Sequence, residues 1–357
     1  MKKVKFTEVF EDVTKQGVKI PTNLYLEKGL YPIVDQGQSE IAGYINEKDG
    51  IFEDVPVIIF GDHTRIIKFI DKPFFLGADG VKVLKSIIKE VDYKYLYYVL
   101  FNAKIPDTGY NRHFKWLKET EIPLPSLEEQ KKIAERLDKV SSLIEKRKTQ
   151  LTKLDQLIKS RFIEMFENKG YPQITIVELV ASKVSSVKKV FLPTDVIKYI
   201  DISSIDNKRN VMTGYTEYIL GEAPSRAQQY IKKGDIVVST VRPNLKNVAI
   251  TNFESNNLVA SSGFCVLRAE KCLPSYLMAV VCSDDFTDAM TKVVTGANYP
   301  AIKDSDVRNY VVPNPPIELQ EQFSAFVEQT DKSKLTIQKS IDKLETLKKS
   351  LMQQYFG

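Results

Sequence analysis

The stretch Ile122-Pro-Leu-Pro125-Ser-Leu-Glu128-Glu-Gln130-Lys-Lys-Ile133 returns 190 residues later as Val312-Pro-Asn-Pro315-Pro-Ile-Glu318-Leu-Gln320-Glu-Gln-Phe323. Carried on without a gap, 122–166 laid over 312–356, the overlay adds identities at Lys153/Lys343, Leu154/Leu344, Leu157/Leu347, Lys159/Lys349, Ser160/Ser350 and Phe166/Phe356. Leu137/Val327, Asp138/Glu328, Leu151/Ile341 and Asp155/Glu345 match in kind. A repeat fixes the architecture in which local motifs sit. Two copies make a tandem duplication, not a solenoid, with scope for an internal pseudo-two-fold axis.

Each copy begins extended and becomes a long helix. Prolines at 123 and 125 push the residues before them out of the α region. Ser126 and Glu129 then make an S-x-x-E pattern, in which hydroxyl and carboxylate satisfy free N–H groups at a helix start. The second copy has Pro316 and Leu319 there; it loses the box but keeps a proline suited to a first turn. Downstream, Ile133, Leu137, Val140, Ile144, Leu151, Leu154 and Ile158 recur at alternating threes and fours. Phe323, Val327, Ile337, Ile341, Leu344, Leu351 and Tyr355 do the same, which is a coiled-coil seam. A helix of about 40 residues is roughly 60 Å long. Arg147, Lys334 and Lys348 interrupt the two seams, so neither is complete alone. Antiparallel pairing of one copy with the other is the simplest arrangement, with a long solvated surface helix as the plainer reading.

The repeat reaches into the segments before each helix. Val4–Val9 resembles Ile174–Leu179, both alternating as an opening strand does. Val55–Phe60 runs into Gly61-Asp-His-Thr-Arg65, and Ile236–Val241 into Arg242-Pro-Asn-Leu-Lys246. Each is a buried apolar run that empties into a polar, basic loop. Tyr95-Leu96 and Tyr276-Leu277 open short apolar helices, and Thr108-Gly-Tyr-Asn111 matches Thr295-Gly-Ala-Asn298 ahead of each Pro-x-Pro. The order is module, helix, module, helix, with parts at 1–121, 122–168, 169–311 and 312–357. Asn168-Lys-Gly170-Tyr-Pro172 is the break after the first helix.

Composition bounds the classes open to such a chain. Its 357 residues allow two domains of ordinary size. With 43% hydrophobic and 27% charged residues it reads as globular, and no apolar run approaches the ~18 residues of a membrane span. Three cysteines, Cys265, Cys272 and Cys282, lack metal-ligand spacing, and reduced thiols point to the cytoplasm. Two histidines rule out a His-rich metal site, and no phosphate-binding glycine loop is present. A net charge of +5 is compatible with nucleic acid. Asn314-Pro-Pro-Ile317 is close to the N-P-P-aromatic motif of DNA amino-methyltransferases. It falls at the repeat position of Leu124-Pro-Ser-Leu127, so the start of a helix is the better reading.

The twice-given order of Pro-x-Pro, x-x-Glu-x-Gln and heptad helix, each preceded by T-G-x-N, resembles the specificity subunit of type I restriction–modification systems over nearly the whole chain. The resemblance implies an α+β protein in which two α/β target-recognition domains are joined by two long helices forming an antiparallel coiled coil. It implies that each module reads one half of a split DNA sequence while the helices fix the unread gap. It further implies that the subunit has no catalysis and binds no cofactor of its own, that two modification subunits using S-adenosylmethionine methylate adenine, and that restriction/translocase subunits join for cleavage. Leu319, where the first copy has a glutamate, and the proline-rich Asn314–Pro316 depart from the pattern at the second helix start.

For a reader of double-stranded DNA, phosphate contacts give affinity and base-edge contacts give sequence. Arginine suits guanine, and Asn or Gln suits adenine. The candidates in the second module are Thr240, Arg242, Asn244 and Lys246 on the strand-exit loop, then Ser261, Ser262, Asn298, Tyr299 and Lys303. In the first they are His63, Thr64 and Arg65, then Asn111, Arg112, His113 and Lys115, with Gln36, Gln38 and Ser39 in a turn-rich stretch. Each of these can equally be a solvated loop residue, though loops on rigid scaffolds carry binding. Tyr97, Tyr98 and Phe101 stand at helical spacing and read as core. Rival readings are a coiled-coil adaptor that presents two protein-binding modules without touching DNA, and a single-chain methyltransferase or nuclease. A narrower alternative is the specificity subunit of a methylation-only complex.

Overall fold

The computed structural model describes residues 2–77, 79–296 and 300–357, and the chain divides into two compact units, 1–148 with 339–357 and 149–338. Both units open on the same device. Strand Lys3–Lys5 pairs antiparallel with Glu121–Pro123, Val4 opposite Ile122; strand Gln173–Thr175 pairs with Val311–Pro313, Ile174 opposite Val312. The alternating stretches 4–9 and 174–179 are strand only at their start. Phe6–Val9 and Ile176–Leu179 are single helical turns. The reason is that Phe6 and Val9, and likewise Ile176 and Leu179, are three apart, so one turn of helix buries both. In the second unit Glu178 caps the turn by accepting the Thr175 N–H at 2.9 Å.

In the first unit a four-stranded antiparallel sheet runs Phe10–Asp12, Val81–Ser86, Val57–Gly61, Ile67–Ile70. Alternation sends Ile58, Phe60 and Leu84 towards the helix Tyr93–Phe101 and the start of the long helix, where Ile133 and Leu137 join them. Val57, Ile59 and Val83 face the other way, onto Val34, Phe52, Phe74 and Leu76. The strand is thus covered on both faces, which is why it reads as an unbroken apolar run. The second unit repeats the plan with a five-stranded sheet. Ile236 and Val238 pack with the helix Pro274–Cys282 and with Phe162, Phe166 and Phe323. Val237 packs with Ile200, Leu258 and Ala260 from a second, four-stranded sheet.

The long helices span Leu127–Phe166 and Ile317–Phe356, 40 residues each. In the first unit Met352 packs among Ile133, Ala134 and Leu137. Arg136 donates to the Tyr355 hydroxyl at 2.9 Å, while Lys348 lies in the field of Glu145 and Lys148, so the two segments run antiparallel. In the second unit Phe323 packs on Phe162 and Phe166, and Lys334 pairs with Asp155 at 2.8 Å, again antiparallel. Two of the seam's interruptions therefore have uses. Lys334 finds a carboxylate, and the Lys348 ammonium lies 5.9 Å from the Tyr98 ring centroid and 5.4 Å from that of Phe101. The first helix ends at a break where Asn168 and Gly170 take φ +55° and +73°.

The repeated identities at each helix start are fasteners. Gln130 is buried; its Oε1 accepts the Asp92 N–H at 3.0 Å and its Nε2 donates to the Pro125 carbonyl at 2.9 Å. Gln320 does the same between Leu273 N–H, 2.9 Å, and the Pro315 carbonyl, 3.0 Å. Tyr95 and Tyr276 donate their hydroxyls to the carbonyls of Pro123 and Pro313. Of the S-x-x-E box only the hydroxyl half is seen, Ser126 Oγ accepting the Glu129 N–H at 3.3 Å. Pro316 stands just before the helix, its carbonyl accepting the Gln320 N–H at 3.3 Å. Asn314-Pro-Pro-Ile317 is therefore structural, with Pro315 buried and the Asn314 N–H given to Pro172.

Candidate nucleic-acid interface

In both units the central buried strand delivers a polar loop to the surface, and other loops are laced to it. In the first unit Asp62 is the knot. Its N–H donates to Gly80, its carbonyl accepts the His113 N–H at 2.7 Å, and its carboxylate accepts the Phe114 N–H at 2.8 Å. Gln36 ties in the next loop, accepting the His63 N–H at 3.1 Å and donating to the Asp79 carbonyl at 2.8 Å. The Thr64 hydroxyl donates to the Gln36 carbonyl at 2.7 Å. Lys68, 7% exposed, donates to the carbonyls of Asp35 and Ser39 at 2.8 and 2.6 Å. Burial pushes its ammonium below the usual lysine range against the pull of Asp35. The stretches 35–39, 61–66, 79–80 and 107–114 are thereby one surface.

Several candidates are spent on building that surface. Gln36 is a strut rather than a free reader. His113 is fully buried, its Nδ1 3.0 Å from the Asp62 carbonyl, so it belongs to the interior and not to the outer face. Arg65 pairs with Asp107 at 2.6 Å. Gln38, Ser39, Asn111, Arg112 and Lys115 are exposed, Lys115 with its ammonium 4.1 Å from the Trp116 ring centroid. His63 stacks on Tyr110, centroids 4.6 Å apart and planes within 9°. Of the three aromatic residues assigned to the core, Tyr98 is buried, but Phe101 is 52% exposed at the end of its helix.

The second unit brings its candidates together through backbone bonds. Thr240 donates its N–H and its hydroxyl to the Gly263 carbonyl, both at 3.0 Å, and its own carbonyl accepts the Ile302 N–H at 2.9 Å. Arg242 donates its N–H to Pro300 at 2.8 Å. The loop 240–246 thus sits against Ser262 on one side and Lys303 on the other. Ser261 is buried, its hydroxyl closing the turn by accepting the Gly263 N–H at 3.2 Å, so Ser262 alone of that pair is exposed. Arg242, Asn244 and Lys303 are exposed. Asn298 and Tyr299 lie outside the described residues.

The two strand-exit loops share an unusual backbone. Arg65 and Lys246 each stand two residues before the returning strand, at φ +61° and +52°, and Arg242 joins them at +49°. Non-glycine residues in this region are uncommon and strained, and such strain collects at binding sites. Both equivalent cations are paired, Arg65 with Asp107 and Lys246 with Asp284. Lys246, first by its hydrogen bond, holds the Asp284 carboxyl below its usual range. Among the described residues no group of three His, Cys, Asp or Glu is placed to hold a metal ion. The Cys272 thiol is pushed up to about 12 by burial, which leaves it inert.

A family profile described as the type I restriction modification DNA specificity domain matches residues 1–155 and again 173–348. The chain belongs to the type I restriction–modification DNA specificity family. Chains of this family recognise DNA, act with other subunits and are not themselves catalytic. Among similar proteins, the type I restriction enzyme MjaVIII specificity subunit of Methanocaldococcus jannaschii is 25% identical over 343 residues, covering 86% of this chain and 80% of that one. The EcoDI specificity subunit of Escherichia coli is 24% identical over 387 residues, covering 95% and 83%. The crystal structure of a type I restriction–modification S subunit from M. genitalium shares the fold, with a TM-score of 0.59 and 17% identity over 98% of this chain and 94% of that one.

For a DNA specificity chain, the structure adds residues that motif reading passed over. Asn207 and Asn210 donate to the carbonyls of Leu245 and Lys246 at 2.8 and 3.0 Å, placing exposed Lys208 and Arg209 beside the strand-exit loop. Exposed Arg226 joins them, its carbonyl accepting the Ser262 N–H at 2.8 Å. The turn signal Asn207-Lys-Arg-Asn210 is present in the sequence, but nothing local says which loop it packs on.

Proposed function

We propose that this chain reads a split DNA target, one half with each of two modules at 1–121 and 169–311, and positions two adenine-methyltransferase modification subunits on it. The modification subunits carry S-adenosylmethionine, restriction/translocase subunits join the same complex, and the assembly works in the cytoplasm. The helical parts at 122–168 and 312–357 set the length of the unread gap. The family match supports DNA recognition. The modules share a framework but differ in their loops, which supports two different half-sequences.

The observation that carries the two-partner reading is a repeat without a packing cause. Lys153/Lys343, Leu157/Leu347, Lys159/Lys349 and Ser160/Ser350 are identical between the helices and exposed in both. Leu157 is 48% exposed and Leu347 46%. Core residues recur because packing needs them; exposed ones recur when the same partner is met twice. The test is the mass of the complex reassembled with its modification subunit. Two modification subunits per chain are expected, with Leu157→Glu or Leu347→Glu each releasing one. A one-to-one wild-type complex, or variants that still hold two, would refute the reading.

A further inference from the structure

At 87%, Tyr110 is the most exposed large hydrophobic side chain among the described residues, yet its ring is not loose. The stack on His63 fixes one face of the ring. His63 is itself held, its N–H by Gln36, and its Nδ1 is buried with no hydrogen-bond partner. The loop that carries Tyr110 is pinned on both sides. Asp107 accepts from the Arg65 guanidinium and from the Gly109 N–H at 3.1 Å, and His113 is bonded to Asp62. Gly109, at φ +73° with open space around it, turns the chain outwards.

Single exposed apolar side chains are ordinary. This one differs because its ring is stacked on a histidine that is itself held, and because it stands on the surface that the strand-exit loop builds, next to exposed Asn111 and Arg112. A preordered tyrosine offers large contact area at a small entropy cost on binding. Apolar contact is also how a protein recognises the C5-methyl group of thymine in the major groove.

We propose that Tyr110, backed by His63, is a specificity-determining residue of the first module, its ring meeting the methyl group of a thymine in the half-site. This rests on the split-target reading above. The test uses the full chain with its modification partner. The wild-type motif is mapped from the adenines methylated, and the mapping is repeated with Tyr110→Ala. Tyr110→Ala relaxes one position, or two adjacent ones, of a single half-site by about fourfold, and the other half-site is unchanged. Replacing thymine by uracil at that position slows wild-type methylation to a similar degree and leaves Tyr110→Ala unaffected; this arm leaves the wild-type protein intact. An unchanged motif, an equal loss on all sequences, or a wild-type complex indifferent to uracil would overturn the proposal while leaving the split-target reading in place. A wild-type complex that methylates no split motif would overturn both.

Discussion

Replacing Gln320 by leucine removes a fastener and nothing else of comparable size. The side chain is 1% exposed and makes two bonds, accepting the Leu273 N–H and donating to the Pro315 carbonyl. Leucine fills a similar volume but leaves both groups without a partner. A buried orphaned group costs about 1–3 kcal/mol. Leu273 is only partly buried, so water can reach its amide and the low end applies there; Pro315 is buried and takes more. The sum is about 2–4 kcal/mol, or roughly 4–16 °C in the melting of a unit of this size. Gln130→Leu should cost less, about 2 kcal/mol, because Asp92 and Pro125 are both only half-buried. Because the chain has two compact units, one global melting curve would blur the result, so hydrogen exchange is the better assay. The Leu273 amide should lose protection in Gln320→Leu and the Asp92 amide in Gln130→Leu, each variant loosening its own unit. A cost below about 1 kcal/mol, or an equal loss in both units from either change, would refute the fastener account.

Arg242→Ala should relax one half-site by about 1–3 kcal/mol of discrimination and leave the other half intact, as read by methylation mapping; an unchanged motif would contradict it. Inserting one helical turn after Gln150 should change the unread gap without changing either half-sequence, and an unaltered gap would count against the helices as spacers. Asp12 supplies a pH signature. Burial alone would raise its carboxyl, but bonds from Lys82 and Thr14 outweigh that and hold it below the ordinary 3.8. A depressed folded value means the stabilisation is complete above about pH 3.8 and disappears as pH falls through the folded value. Asp12→Asn should flatten this acid limb in urea midpoints, and an identical pH dependence would dismiss Asp12 as its source.

The duplication made the architecture legible because the repeated residues are the ones packing and bonding require twice. Pro123, Pro125, Gln130 and their counterparts are visible in sequence and turn out to close the same hydrogen bonds. The helical turns at 6–9 and 176–179 were less legible, since four residues with apolar ends at i and i+3 also suit a strand. The candidate reading surface was legible only as a set of loops. Thr240, Ser262 and Lys303 meet through backbone bonds that leave no mark in side-chain identity. For the same reason Gln36, Ser261 and His113 pass for free polar groups until their partners are seen. Lys208, Arg209 and Arg226 needed the fold, because only the carbonyls of Leu245, Lys246 and Arg226 say where those turns dock.

The most direct measurement is a genome-wide methylation map of a host carrying this chain together with its modification subunit. The account predicts adenine methylation in one motif made of two unlike specific sequences separated by a fixed number of unread bases. Methylation in a single uninterrupted sequence, in two identical halves, or at a variable spacing would contradict it.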